Sequence, residues 1–173
     1  DLSQYPKWYA FEHHAPEHLA TAHYGMPELF GPPPSEGLVA NPGCYPTATV
    51  LALAPLLRAG LIDPSGIIVD AKSGVTGAGR QSKEAYSFTE VDGDFRAYKL
   101  LSHQHTPEIA QACGVASLTF TAHLLPVRRG ILATCYAKPR GSTDAMVAAL
   151  RTAYERAPFV EVTAPEDVTL ASV

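Results

Sequence analysis

Apolar residues recur along the chain with two different periods. Over residues 46–60, Ala, Val and Leu fall on nearly every side of a helical wheel, which predicts a buried helix that Gly60 ends. Residues 142–156 repeat at helical spacing through Met146, Ala149, Leu150, Ala153 and Tyr154, with Ser142 as the cap. A short helix is expected over 107–113, where Thr106 caps and Pro107 takes the first position. Four stretches read as strands. Residues 67–71 are short and β-branched, 115–125 alternate in part (Leu118, Phe120, Ala122), 131–137 follow, and 159–162 make a final strand. Only five residues, Pro126 to Gly130, join the second and third of these, so the two are expected to pair antiparallel. Residues 82–90 are mixed and read as a short helix. Residues 1–37 read as irregular, with Pro32, Pro33 and Pro34 forming a rigid spacer. Strands and helices without β-α-β alternation imply an α+β domain on a largely antiparallel or mixed sheet.

Composition narrows the function classes. At 173 residues one domain is expected, and 46% hydrophobic with 17% charged residues describes an ordinary soluble chain. The net charge of −4 and the lack of a basic block argue against a nucleic-acid partner. No apolar run reaches membrane-spanning length and no signal peptide is visible, so no membrane partner is expected. Three cysteines, Cys44, Cys113 and Cys135, are an odd and sparse count. This argues against a disulfide framework and for a reducing, cytoplasmic compartment. Their spacing makes no metal motif. His13, His14, His18 and His23 would suit a metal only on a helix, which Pro16 opposes, so they read as exposed loop residues and no metal is expected. A start at Asp1 without methionine and a stop at Val173 inside an element read as cut ends.

The candidate chemistry begins at Asn41-Pro42-Gly43-Cys44-Tyr45-Pro46-Thr47. A strand-like approach over 38–40 enters turn residues, and Pro46 suits a first helical turn. Cys44 is then at or just before a helix start, where unpaired N–H groups and the positive end of the dipole favour a thiolate. Gly43 leaves the sulfur open to substrate. A free cysteine is more often a buried, inert one, but this setting favours a nucleophile. The glycine-rich run Lys72 to Arg80 follows a strand. It lacks the spacing of a dinucleotide fingerprint and of a P-loop. Such loops still hold anions through backbone N–H groups, and Arg80 adds a bidentate partner. His103 and His105 stand just before the predicted 107–113 helix and are candidates for proton transfer.

Asn41 to Ala48 followed by Leu51-Ala52-Leu53-Ala54-Pro55-Leu56 resembles the active-site signature of the N-acetyl-γ-glutamyl-phosphate reductases, which are similar to aspartate-semialdehyde and glyceraldehyde-3-phosphate dehydrogenases. Ser73-Gly74 with Gly77-Ala78-Gly79-Arg80, His103 to Ile109, and His123 to Ile131 resemble further segments of that family, with Gln104 where Arg is common. The resemblance implies a fold like the C-terminal domain of glyceraldehyde-3-phosphate dehydrogenase, with helices on one face of the sheet. It implies that 1–173 is a catalytic, substrate-binding and dimerisation domain. The NADP-binding Rossmann domain would precede it and a C-terminal end would follow it. It implies NADPH-dependent reduction of N-acetyl-γ-glutamyl phosphate in arginine biosynthesis, through a thioester on Cys44. His105 would move protons, with Glu108 orienting it. Asn41, His103, Arg80 and Arg129 would contact substrate, and Ser73 and Gly74 would line the nicotinamide. The fragment alone would not turn over, and a homo-oligomer, dimer or tetramer, is implied. Two other readings stay open: a Cys–His hydrolase or acyltransferase that needs no cofactor, and a non-catalytic assembly domain.

Overall fold

The run that follows Cys44 forms helix α3 (Cys44–Arg58), two residues earlier than its apolar pattern begins. Gly43 is extended at φ −65°, ψ 160° and caps the helix without a side chain. Pro46 therefore sits in the third helical position, where its missing N–H is still one of the orphans. Pro55 has a different consequence. It cannot donate to the Leu51 carbonyl one turn back. That carbonyl is taken instead by the hydroxyl of Tyr154 at 2.5 Å, at the end of helix α6 (Thr143–Tyr154). As expected, α6 is capped by Ser142, whose Oγ accepts from the Ala145 N–H.

The computed structural model describes residues 4–9, 11–79 and 83–171. Ahead of α3 lie α1 (Tyr5–Tyr9), strand β1 (His23–Tyr24), α2 (Pro27–Phe30) and strand β2 (Val39–Ala40). β1 and β2 pair in parallel, with Tyr24 opposite Ala40. After α3 come β3 (Ile68–Ser73), α4 (Phe88–Val91), β4 (Arg96–Tyr98), α5 (His105–Cys113), β5 (Thr119–Leu124) and β6 (Ile131–Tyr136). The main sheet is four-stranded in the order β4-β5-β3-β6. β3 runs parallel to β5 and antiparallel to β6, and β4 is antiparallel to β5. The chain is thus α+β with a mixed sheet, as expected.

Several sequence expectations need correction. β5 and β6 do not pair, because β3 lies between them. The connection, six residues long over 125–130, steps across the end of β3: Gly74, Val75 and Thr76 donate to the carbonyls of Gly130, Val127 and Arg128 at 2.9–3.0 Å. Gly74 permits this crossing, since a Cβ there would stand 2.7–2.8 Å from the Arg129 backbone. Lys72 and Ser73 belong to β3 rather than to the loop after it. Residues 159–162 form no strand; Phe159 is 91% exposed and finds no sheet edge to cover. β4 is too short to show a period. Helix α5 starts at His105, not Pro107, and Thr106 is not its cap: the first helical N–H, that of His105, is accepted by His103 Nδ1 at 3.2 Å. Gly114, at φ 68°, closes α5.

One sheet face carries the core. Val69 and Ala71 of β3 and Phe120 and Ala122 of β5 pack with Val50, Leu53 and Ala54 of α3 and Ile109 of α5. The opposite face is more open among the described residues, with Phe95 packed on His123 at one side. Ile68 and Tyr136 are exposed there, and Asp70 bridges Lys72 at 2.7 Å and His123 at 3.1 Å.

Candidate active site

Two helix starts meet at this site. The first turn of α3 presents Cys44 to solvent. The packing of α3 on α5 brings His105, the first residue of α5, against the residue just before the cysteine. A Cβ on Gly43 would clash with the His105 imidazole at Nε2 and stand 2.7 Å from its Cδ2 and Cε1. Glycine is therefore required here for close approach, not for its backbone angles.

Glu108 follows His105 by three residues and shares its helix face. Its Oε1 accepts from the Gly43 N–H at 2.9 Å and from the Tyr24 hydroxyl at 2.8 Å. Glu108 thus holds the cysteine loop by hydrogen bonds and acts on His105 through its charge. Burial lowers the His105 pKa; the Glu108 charge opposes that shift and Lys99 adds to it. His105 Nδ1 is buried without a hydrogen-bond partner among the described residues. An imidazole that is neutral at neutral pH therefore lies against Gly43, the residue before Cys44.

His103 is only 3% exposed. Its ring lies 4.8 Å from that of His105 and meets Tyr45, Phe120 and Tyr98 edge-on at 5.2–5.6 Å. Burial, then His105 and Lys99, push its pKa down to about 4. A neutral, almost wholly enclosed ring accepting a helix N–H props His105. Tyr45, next to Cys44, bonds its hydroxyl to that of Tyr98 at 3.0 Å and donates to the His123 carbonyl at 3.2 Å. Its ring thus runs from the cysteine to the end of the main sheet.

The structure brings Cys44, His103, His105 and Glu108 together. Asn41 is exposed in the same loop, its Oδ1 hard against Gly25. Ser73, Gly74 and Arg129 lie together at the end of β3, with the Ser73 side chain facing the Tyr45 hydroxyl. Ser73 is 4% exposed and donates to the Gly74 carbonyl, while Arg129 is exposed. Arg80 lies outside the described residues. Burial pushes the thiols of Cys113 and Cys135 up to about 12 and about 11. Among the described residues no group of three or more His, Cys, Asp or Glu is placed to hold a metal, and no helix is long and apolar enough to cross a membrane. Sequence reasoning missed Tyr24 and Tyr45, because each works through a partner more than fifty residues away. A cavity of about 740 Å³ opens between α1 and α5; Tyr24 and Glu108 stand on its wall but Cys44 does not.

Residues 44–173 match the family model described as semialdehyde dehydrogenase, dimerisation domain. A protein named N-acetyl-γ-glutamyl-phosphate reductase from Magnetococcus marinus is 46% identical, over 97% of this chain and 50% of its own length. One of the same name from Pelotomaculum thermopropionicum is 50% identical, over 94% of this chain and 49% of its own. The chain therefore spans about half the length of the curated relatives it matches. The crystal structure of aspartate semialdehyde dehydrogenase II from Vibrio cholerae superposes with a TM-score of 0.57 at 14% identity, over 78% of this chain and 50% of that one. That likeness extends to the fold. On the match over 44–173, with its cysteine and histidine at facing helix starts, the chain belongs to the semialdehyde dehydrogenase dimerisation-domain family, at 46–50% identity to N-acetyl-γ-glutamyl-phosphate reductases.

Proposed function

We propose that this chain carries the acylation site of an NADPH-dependent reduction of N-acetyl-γ-glutamyl phosphate to N-acetylglutamate 5-semialdehyde and phosphate, a step of arginine biosynthesis in the cytoplasm. The observation that carries this reading is the exposed Cys44 at a helix start, with the His105 ring packed on the adjacent Gly43. His105, neutral because it is buried, takes the thiol proton. The sulfur attacks the γ-carbonyl carbon, the carbon–oxygen bond to phosphate breaks, and phosphate leaves with its electron pair. An S-acyl Cys44 remains. The α3 N-terminus favours the thiolate, and Asn41 and Arg129 remain the candidates for holding substrate at the rim.

NADP is the family's expected cofactor, and hydride is what it supplies when bound. Ser73 and Gly74 do not fit a cradle for it. The Ser73 hydroxyl donates to the Gly74 carbonyl and faces the Tyr45 hydroxyl, and the open side of Gly74 is filled by the backbone of Arg128 and Arg129. Dinucleotide binding is therefore assigned to residues outside this chain, as in a reductase about twice its length.

Mixing the chain with N-acetyl-γ-glutamyl phosphate is expected to release about one phosphate per chain, as a single nucleophile requires. Mass spectrometry should find the acyl group on Cys44 and none on Cys113 or Cys135. NADPH should neither bind nor drive aldehyde formation. Continuous phosphate release without reductant would point to the hydrolase reading instead. No adduct on a Cys44 that iodoacetamide still labels would end the proposal.

The same reading includes a homo-oligomer, in keeping with the printed description of the matching family model. The open sheet face around Ile68, Tyr136 and the Asp70–Lys72–His123 cluster is the surface proposed for a second copy. Light scattering should give twice the chain mass, falling to the monomer on Ile68→Glu. A wild-type monomer at high concentration would overturn this.

A further inference from the structure

The geometry points to Tyr24 as a positioning residue for the nucleophile, acting through Glu108 on the Gly43 amide. It rests on the Cys44–His105 pairing proposed above and extends it to a residue outside the cysteine and histidine segments.

Two donors converge on one carboxylate oxygen. Glu108 Oε1 takes the Tyr24 hydroxyl at 2.8 Å and the Gly43 N–H at 2.9 Å, from residues 84 and 65 positions away in sequence. Both donors come from one small frame. β1 and β2 pair in parallel, the Gly25 N–H donates to the Ala40 carbonyl at 2.9 Å, and the chain then runs from Ala40 to Gly43. That frame admits nothing larger at residue 25: a Cβ would fall 2.8 Å from Val39 and 2.9 Å from the Asn41 side chain. The third corner is α5, which holds Glu108 and, three residues earlier, His105.

This triangle fixes the spacing between base and nucleophile. The Tyr24 hydroxyl chooses where the Glu108 carboxylate sits. The carboxylate chooses where the Gly43 N–H points. Gly43 is in contact with the His105 ring on one side and is bonded to Cys44 on the other. Burial and the Glu108 bond raise the Tyr24 pKa, so this hydroxyl stays protonated and remains a donor. Without it, a charged acceptor loses one of its two neutral donors, and the freed carboxylate turns its charge toward the nearest cation. On α5 that is His105 when protonated, and its ring is the one that governs Cys44. The other titratable groups facing this pair are Tyr9 and Cys113 around Glu108 and Tyr24, and His103 and Lys99 around His105. Of these, only Glu108 loses a hydrogen bond when Tyr24 loses its oxygen.

The test compares wild type, Tyr24→Phe and Phe30→Leu. Phe30 packs edge-on to the Tyr24 ring at 5.4 Å, so its variant disturbs packing and leaves the hydroxyl in place. Hydrogen exchange at the Gly43 amide reads the positioning directly. Exchange should speed by about tenfold in Tyr24→Phe and stay near wild type in Phe30→Leu, as expected for one weakened hydrogen bond. Cys44 alkylation by iodoacetamide against pH reads its effect on the thiol. In Tyr24→Phe the acid inflection should move up by about half a unit, a fraction of the roughly one to two units that a hydrogen bond to a charged group is worth, because the effect reaches the thiol only through Glu108 and His105. An unchanged Gly43 exchange rate in Tyr24→Phe overturns the inference. So does a Gly43 amide in wild type that exchanges as fast as an open-loop amide, a result that stands even if the variant does not fold. A Cys44 profile that ignores His105→Asn defeats the function proposed above instead, while the Gly43 exchange result still decides the role of Tyr24.

Discussion

Gly43→Ala is expected to cut single-turnover phosphate release by about a hundredfold or more, the loss that ångström-scale misplacement of reacting groups brings. The backbone of Gly43 is ordinary, at φ −65°, so alanine strains nothing locally. The cost comes wholly from the new methyl, which would clash with the His105 imidazole. Either the ring rotates away from Cys44 or the loop lifts off Glu108, and each separates base from nucleophile. Thermal stability should fall far less than rate, because the cysteine loop is at the surface and can lift without opening the core. The diagnostic comparison is the double variant. In a His105→Ala background the methyl has space, so adding Gly43→Ala should cost almost nothing more. An equal loss in both backgrounds would show that the methyl blocks substrate rather than displacing the histidine.

His105→Asn is expected to lower the acylation rate by about two to four orders of magnitude, the usual cost of a lost general base. The pH dependence identifies the mechanism. Catalysis needs the neutral ring, and burial holds its pKa below the ordinary 6.5. As pH falls, the rate should stay level through 6.5 and decline only below it; in the variant this decline should vanish. A wild-type rate already halved above pH 6.5 would mean that the Glu108 charge outweighs burial. His103→Asn should behave differently. Its ring is enclosed and caps α5, so the loss should appear in melting temperature and in how well His105 is held, not in substrate affinity.

Much of the site was legible because its parts are local. Turn residues, a cysteine and a helix start occupy consecutive positions, and both candidate histidines stand beside the start of a short helix. Helices α3 and α6 were visible because their periodicity is long. The sheet order was not legible. A five-residue link between two apolar runs reads as a hairpin, and only the crossing over Gly74 shows that β3 separates them. The division of labour between the histidines was likewise hidden. His103 and His105 differ by burial, and burial is decided by Tyr45, Tyr98 and Phe120, none of which neighbours them in sequence. Ser73 and Gly74 looked like ligand residues for the same reason: the backbone that fills their open side comes from residues more than fifty positions later.

The bond between Tyr154 and the Leu51 carbonyl makes substitution at two distant positions depend on order. Changing Tyr154 to Phe first strands a carbonyl that Pro55 cannot serve, at about 1–3 kcal/mol for an unmet polar group. Changing Pro55 to Ala first returns the helix its own N–H donor, after which the tyrosine hydroxyl is dispensable. Sequences descending from this one can shed the pair by the second route and are held back on the first, so the proline acts as a pawl on the far end of the chain.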